Sequence, residues 1–291
     1  MGTYVVTGSA SGMGRAVVAR LEAAGHDVVT VDLRDADVVA DLSTPGGRAE
    51  AASGVLSRVE GSLNGAVLAA GVGPLPGSEE LIAQVNYRAP VELLLAWRGA
   101  LARAAEGGVS SKVVVFGSNS ASVTPGIPGS LVRSFLNDKP AARARVLKVL
   151  GRNAPAFAYG ASKLALSTWV RRTAVTPQWA GAGIRLNALA PGAIMTPLLQ
   201  AQLDGPDKDR IETFPVPVGG YGDAGQLAEW AAFMLSPAAD FLCGSVVYVD
   251  GGTDAYFRSD AWPASTSLLT IPRWLRRAKA FGASRPPAAV D

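Results

Sequence analysis

The sequence is poor in the residues that most often carry chemistry. Its 291 residues include one cysteine, Cys243, and one histidine, His26. A lone cysteine excludes an intramolecular disulfide and fits a reducing compartment. Cys243 stands beside Gly244 and reads as a small buried residue rather than a nucleophile. One histidine, one cysteine and no tight carboxylate cluster leave no zinc site in view, so no metal is expected. They also exclude a triad that needs a histidine base elsewhere in the chain. Net charge is only +3, whereas a nucleic-acid reader shows a denser basic face. No apolar run approaches the roughly 20 residues that span a membrane. The apolar start Tyr4–Thr7 meets Gly8 too soon to be a signal peptide. A cytoplasmic protein is expected.

Glycine and apolar side chains are plentiful: 33 glycines, and 48% hydrophobic residues to fill a core. Short β-rich runs alternate with helical patterns. Thr3–Thr7, Val28–Val31, Gly65–Leu68, Lys112–Phe116, Ile184–Ala188 and Val246–Val249 read as strands. Gly12–Ala24, Gly46–Arg58, Glu79–Ala105, Ala158–Ala174 and Ala224–Leu235 read as helices, the third bent at Pro90. Such alternation implies parallel strands with crossover helices: an α/β, doubly wound parallel sheet in a single domain over residues 1–255. Two segments stand outside it. Residues 130–153 form an inserted amphipathic helix or two, and residues 256–291 a C-terminal extension.

Residues 7–14, Thr-Gly-Ser-Ala-Ser-Gly-Met-Gly, join the first strand to the first helix. Gly8, Gly12 and Gly14 permit a tight turn and close approach to a pyrophosphate. The backbone from Ser11 through Met13 then opens a helix whose free N–H groups and dipole favour anions. Asp32 ends the second strand, followed by Leu33. A carboxylate there accepts from adenosine ribose hydroxyls and repels a 2′-phosphate, so NAD(H) is expected over NADP(H). Arg34 argues the other way, since a guanidinium can hold that phosphate. Asp41-Leu42 places a carboxylate either near the adenine amino group or simply in a turn before a helix.

Tyr159 and Lys163 are four apart in Tyr-Gly-Ala-Ser-Lys, hence on one helical face. A phenol titrates near ~10, and an adjacent ammonium favours its ionised form. That suits a proton relay matched to hydride transfer at a nicotinamide. Alone, such a pair is an ordinary surface; beside a phosphate loop it is a candidate catalytic unit.

Over residues 3 to about 255 the sequence resembles the short-chain dehydrogenase/reductase family. The matching features are Thr7-Gly8-x-x-x-Gly12-x-Gly14, Ala69-Ala70-Gly71, Asn86, Ser118, Tyr159-x-x-x-Lys163, Pro191-Gly192 and Asp250-Gly251-Gly252. The resemblance implies a Rossmann fold and a role for each residue. Ser118 would steady the substrate oxygen against Tyr159, with Ser120 as the other candidate. Lys163 would also bind the nicotinamide ribose, and Asn86 would hold a water or bind backbone. Ala69, Ala70 and Gly71 would lie by the adenosine, although the family often has asparagine first. Pro191-Gly192 would turn beneath the nicotinamide, with Ile194 and Thr196 at its carboxamide.

The loop after Gly192 is dominated by Met195, Pro197, Leu198, Leu199, Phe214, Pro215, Val216 and Pro217. That favours an apolar carbonyl or secondary alcohol over a sugar or charged acid; with the resemblance it implies interconversion of a secondary alcohol and a ketone on a hydrophobic substrate, a steroid or another bulky carbonyl. The insert, by the resemblance, lies where other members pair through long helices, so a homodimer is expected. In the extension, Ile271, Trp274, Leu275, Ala278 and Phe281 recur at helical spacing among Arg273, Arg276, Arg277, Lys279 and Arg285. Docking on the body or on a partner subunit is expected ahead of membrane contact. A non-catalytic NAD-sensing relative, or epimerisation or dehydration on the same scaffold, are the alternatives.

Overall fold

The computed structural model describes residues 2–205, 208–262, 265 and 267–283. β1 (Thr3–Thr7) leads through the glycine loop into α1 (Gly12–Ala23). Then come β2 (Asp27–Asp32), a two-residue β3 (Val38–Val39), α2 (Pro45–Leu56), β4 (Gly65–Leu68), α3 (Glu79–Ile82) and α4 (Ala89–Ala105). β5 (Ser111–Phe116) precedes α5 (Ser120–Val123), α6 (Gly129–Leu136), α7 (Pro140–Leu150) and α8 (Ala154–Thr173). β6 (Ile184–Pro191), β7 (Ile194–Met195), α9 (Pro197–Leu203), α10 (Lys208–Glu212), β8 (Gly222–Asp223) and α11 (Ala224–Leu235) follow. β9 (Val246–Val249), α12 (Thr253–Arg258) and α13 (Ile271–Ala283) are the remaining strand and α-helices among the described residues.

Seven strands form one parallel sheet in the order β3-β2-β1-β4-β5-β6-β9. The chain winds outward in both directions from the β1/β4 junction, and a ligand crevice opens at the carboxyl ends of strands around such a switch point. Both faces of the sheet are buried, and the two-residue period divides the core. Val5, Ala66, Val113, Val115, Leu186 and Ala188 point to a core closed by α2, α4 and α8. Val6, Val67, Val114 and Leu189 point to a second, closed by α1 and α11.

Several boundaries depart from the sequence reading. α8 starts at Ala154, earlier than expected, because Pro155 sits in the first turn, where its missing N–H costs nothing. The Glu79–Ala105 stretch is broken by a π-turn at Ala83–Arg88, just ahead of Pro90; a π-turn is one way to absorb a residue that cannot continue the ladder. β6 runs on to Pro191 because it pairs with β5 on one side and β9 on the other. The insert is indeed two helices, α6 and α7. It is folded onto the body: Phe135 meets the Tyr87 ring edge-on at 5.7 Å, and Arg143 lies over Phe135 while its guanidinium reaches Glu80 at 3.1 Å.

α13 forms where the spacing placed it, with Pro272 in its first turn. Every described residue from Ser259 to Phe281 is exposed. Arg285 lies outside the described residues.

Candidate active site

The residues singled out from the sequence converge on the carboxyl ends of β1, β2, β4, β5 and β6. Gly8 has φ +70°, and its N–H donates to the Val31 carbonyl at 2.9 Å. A Cβ on Gly8 would stand 2.7 Å from the Ala70 nitrogen, and one on Gly14 only 2.0 Å from the Gly8 carbonyl oxygen. The loop therefore tolerates no side chain at either position. Gly12 faces the other way, where a Cβ would sit 3.5 Å from the Thr196 methyl. That contact joins the glycine loop to the segment after Pro191-Gly192. Ser9 adds a buried hydroxyl with no hydrogen-bond partner. A steric cradle with an unsatisfied hydroxyl and a helix N-terminus, beginning after Ser11 with Met13 in its first turn, fits a dinucleotide pyrophosphate.

Asp32 closes the far end of this cradle. Its two oxygens accept from Ala10 N–H at 2.9 Å and Leu33 N–H at 2.6 Å, which fixes the carboxylate at the loop's edge with lone pairs to spare. Arg34 turns out to solvent beside Asp35. Asp41 accepts from the Ser43 N–H at 2.9 Å, and Ser43 holds its carboxyl below the usual range. Its local role is thus the turn before α2. Leu42 is buried, and its carbonyl accepts from the buried Arg48 guanidinium at 3.1 Å. Ala69 and Ala70 are held to β1 by Thr7, whose carbonyl and hydroxyl accept their N–H groups.

The second half of the site gathers on α8. Lys163 is 5% exposed and donates from Nζ to the Phe116 carbonyl at 2.8 Å. Its Nζ lies 5.9 Å from the Tyr159 ring centroid, as the i,i+4 spacing requires. Burial pulls the Lys163 ammonium down to about 8. Burial likewise pushes the Tyr159 phenol up, and a hydrogen bond with the Ser118 side chain pulls against it.

The three serines differ in their local bonding. Ser120 donates to the Ser118 oxygen from its hydroxyl at 2.9 Å and from its N–H at 3.2 Å. Ser118 is thereby left with its own proton to offer outward. Ser122 turns away to the Asn119 carbonyl. Asn86 is buried within the π-turn. Its amide is clamped to the backbone of Val72, Nδ2 donating to the carbonyl at 2.9 Å and Oδ1 accepting the N–H at 2.8 Å. A Cβ on Gly71 would lie 3.4 Å from Asn86 Oδ1 and 3.8 Å from Lys163 Nζ, so these three share one corner. The backbone-binding role of Asn86 is the one in view.

Pro191 ends β6, and its carbonyl accepts from Asn119 N–H at 2.9 Å. Gly192 packs so tightly on Asp250 that a Cβ would come within 2.7 Å of its Cα. Ile194 is buried in the second core, and the Thr196 hydroxyl accepts from Leu199 N–H to open α9. Sequence reasoning missed three supports: Ser9, Asn119 and the function of Asp250. Asp250 accepts from Gly252 and Asp254 N–H and from the Asn119 amide, tying the β6 and β9 ends together. An Asp before two glycines was the available signal.

Comparisons with known proteins bear on the family of the chain. A family model described as enoyl-(acyl carrier protein) reductase matches residues 146–254. The 3-alpha-hydroxysteroid dehydrogenase/carbonyl reductase of Comamonas testosteroni is 38% identical over 260 residues, covering 89% of this chain and 98% of the relative. The crystal structure of 3-alpha-hydroxysteroid dehydrogenase from Pseudomonas sp. B-0831 complexed with NADH superposes with a TM-score of 0.81 at 40% identity, over 89% of this chain and 99% of that one. The 3-ketoacyl-(acyl-carrier-protein) reductase of Brucella melitensis, also complexed with NADH, gives 0.66 at 25% identity, over 87% of this chain and 98% of that one. With a relative at this identity covered over nearly its whole length, the chain belongs to the short-chain dehydrogenase/reductase family of oxidoreductases.

Proposed function

We propose that the protein interconverts a secondary alcohol and a ketone on a bulky apolar substrate, a 3-hydroxy- or 3-ketosteroid or a carbonyl of similar size, using NAD(H). The observation that carries this reading is the Ser118–Tyr159–Lys163 group at the mouth of the glycine cradle. The nicotinamide supplies or accepts the hydride. Ser118, its oxygen already engaged by Ser120, donates to the substrate oxygen. Tyr159 gives that oxygen a proton in the reductive direction and takes it back in the oxidative one. The Lys163 ammonium favours the phenolate that remains. Asp32 favours NAD(H), because its carboxylate would oppose a 2′-phosphate.

The substrate side is apolar. Met195, Leu198 and Phe214, in the segment that follows Gly192, are exposed, while the segment around Val216 and Val218 folds over Gly251. Such a lining suits a ketone with a large hydrocarbon body. The steroid assignment is supported by the names of the relatives in Comamonas and Pseudomonas. The assembly we propose is a homodimer, since the family resemblance implies that the insert of α6 and α7 lies where other members pair through long helices.

The test is an NADH-oxidation screen over ketosteroids, aryl ketones, quinones and cyclic terpenoid ketones, with NADH and NADPH affinities measured alongside. Turnover of an apolar ketone with NADH is expected, falling about 10²- to 10⁴-fold in Tyr159→Phe while NADH binding persists. Cofactor binding with no turnover across the panel would point to a sensing role instead, and a clear NADPH preference would overturn the reading of Asp32.

A further inference from the structure

We propose that α13 is a surface anchor that lies in the headgroup region of an anionic lipid bilayer. Its apolar stripe is Ile271, Trp274, Leu275 and Ala278, and Arg273, Arg276, Arg277 and Lys279 occupy the remaining arc. At about 100° per residue these two sets separate cleanly around the helix. Both are in solvent: Trp274 is 59% exposed and Leu275 55%, and the approach to the helix adds Leu268 at 80% and Leu269 at 92%. Apolar surface of this extent rimmed by charge marks a contact site.

The charge selects the partner. Residues 256–291 hold six Lys or Arg and two Asp, a surplus of four. The whole chain carries +3, which leaves the other 255 residues at −1. The positive charge of this protein therefore resides in its extension, and between Leu268 and Ala283 no carboxylate offsets it. An apolar groove on a protein would use the stripe and leave the arginines idle. An anionic lipid surface uses both, burying the stripe to the acyl boundary while the cations meet phosphate. No described helix is long and apolar enough to cross a membrane, so α13 lies on the surface.

The extension also leaves the body at a meaningful place. Phe257 of α12 packs on Phe214 at 5.8 Å, and the Thr253 hydroxyl donates to the Pro215 carbonyl at 2.8 Å. An anchored α13 thus tethers the apolar loop beside the crevice to the bilayer, where a lipid-dissolved substrate would be met. That last step rests on the proposed function; the anchoring does not.

The test is co-sedimentation of the full-length chain with vesicles of phosphatidylcholine and phosphatidylglycerol, against vesicles of phosphatidylcholine alone. Pelleting is expected with the anionic vesicles and is expected to fall with added salt. The pair Arg276→Glu and Arg277→Glu should weaken it more than about 20-fold, since each lost cation is worth about fivefold. Trp274→Glu with Leu275→Glu should abolish it. Both variants should keep NADH binding, because α13 touches none of the site. Full-length chain that stays in the supernatant with anionic vesicles would overturn the proposal and leave α13 to a protein partner. Pelleting that neither pair of substitutions reduces would overturn it too. Sedimentation does not read catalysis, so a failed substrate screen and a failed anchor give separate signatures.

Discussion

Lys163 carries its ammonium into the interior with a neutral acceptor, the Phe116 carbonyl, as its hydrogen-bond partner. Burial therefore brings it to about 8, from an ordinary 10.5. The sign of the consequence follows from proton counting. Below about pH 8 both folded and unfolded chains hold the proton, and burying the charge costs the native state roughly 3 kcal/mol. Between about 8 and 10.5 the unfolded chain still holds it while the folded chain has lost it, so stability rises with pH across that window. In Lys163→Met this gain is gone. Urea unfolding of the cofactor-free protein should show the variant's advantage shrinking by roughly 3 kcal/mol between pH 7.5 and 10.5. A difference independent of pH would mean that the ammonium is solvated. Lys163 was legible from its spacing to Tyr159, because a helix fixes what lies four residues away. The partners that decide its behaviour were not. Phe116 is on another strand, and the clamp of Asn86 on Val72 crosses a loop that no periodicity encodes. The preference for Ser118 over Ser120 likewise became a physical statement only once Ser120 was seen donating to it.

Among the elements, α11 shows why some boundaries were readable. Asp223 accepts from Gly225 N–H at 2.7 Å and Gln226 N–H at 3.3 Å, while the Gln226 side chain accepts from Asp223 N–H at 3.2 Å. This reciprocal box starts the helix where the apolar period begins, and α11 then buries Leu227, Ala231 and Met234 over the second core. Asp223→Ala should cost about 1 kcal/mol, read as a lowered urea midpoint with an unchanged m-value, and Asp223→Asn should recover most of it. A box of this kind is local in sequence, so it can be read there. The two-residue strands β3, β7 and β8 are too short to show alternation, and they exist only because a neighbour supplies the ladder. The π-turn before Pro90 was foreseen as a bend but not in kind, since its form depends on how Asn86 is held inside.

For the whole molecule, the parallel sheet with its crossover helices was legible from the alternation of strands and helices. What covers the apolar face of the extension was not, because amphipathicity states that a face needs a cover without saying which. The assembly is the other open quantity at this scale. β9 forms one edge of the sheet, and α11 exposes Trp230 and Phe233. Light scattering in dilute solution should give about twice the 29.9 kDa chain mass; a tetramer would contradict the proposed dimer and the blocking role assigned to α6 and α7.

The short ladder between β7 and β8 has one more consequence. Ile194 pairs with Gly222 and Met195 with Asp223, so the chain that leaves the sheet after Gly192 is stitched to itself before it enters α11. Residues 196–221 are therefore an excursion with both ends pinned. Changing the length of a loop whose ends are fixed is thermodynamically mild, about 0.6 kcal/mol per doubling. The segment that, by the proposed function, meets the substrate is thus a cassette clipped onto the cofactor-binding frame. Replacing it while leaving the two pinned pairs alone should change the substrate range without loss of NADH binding.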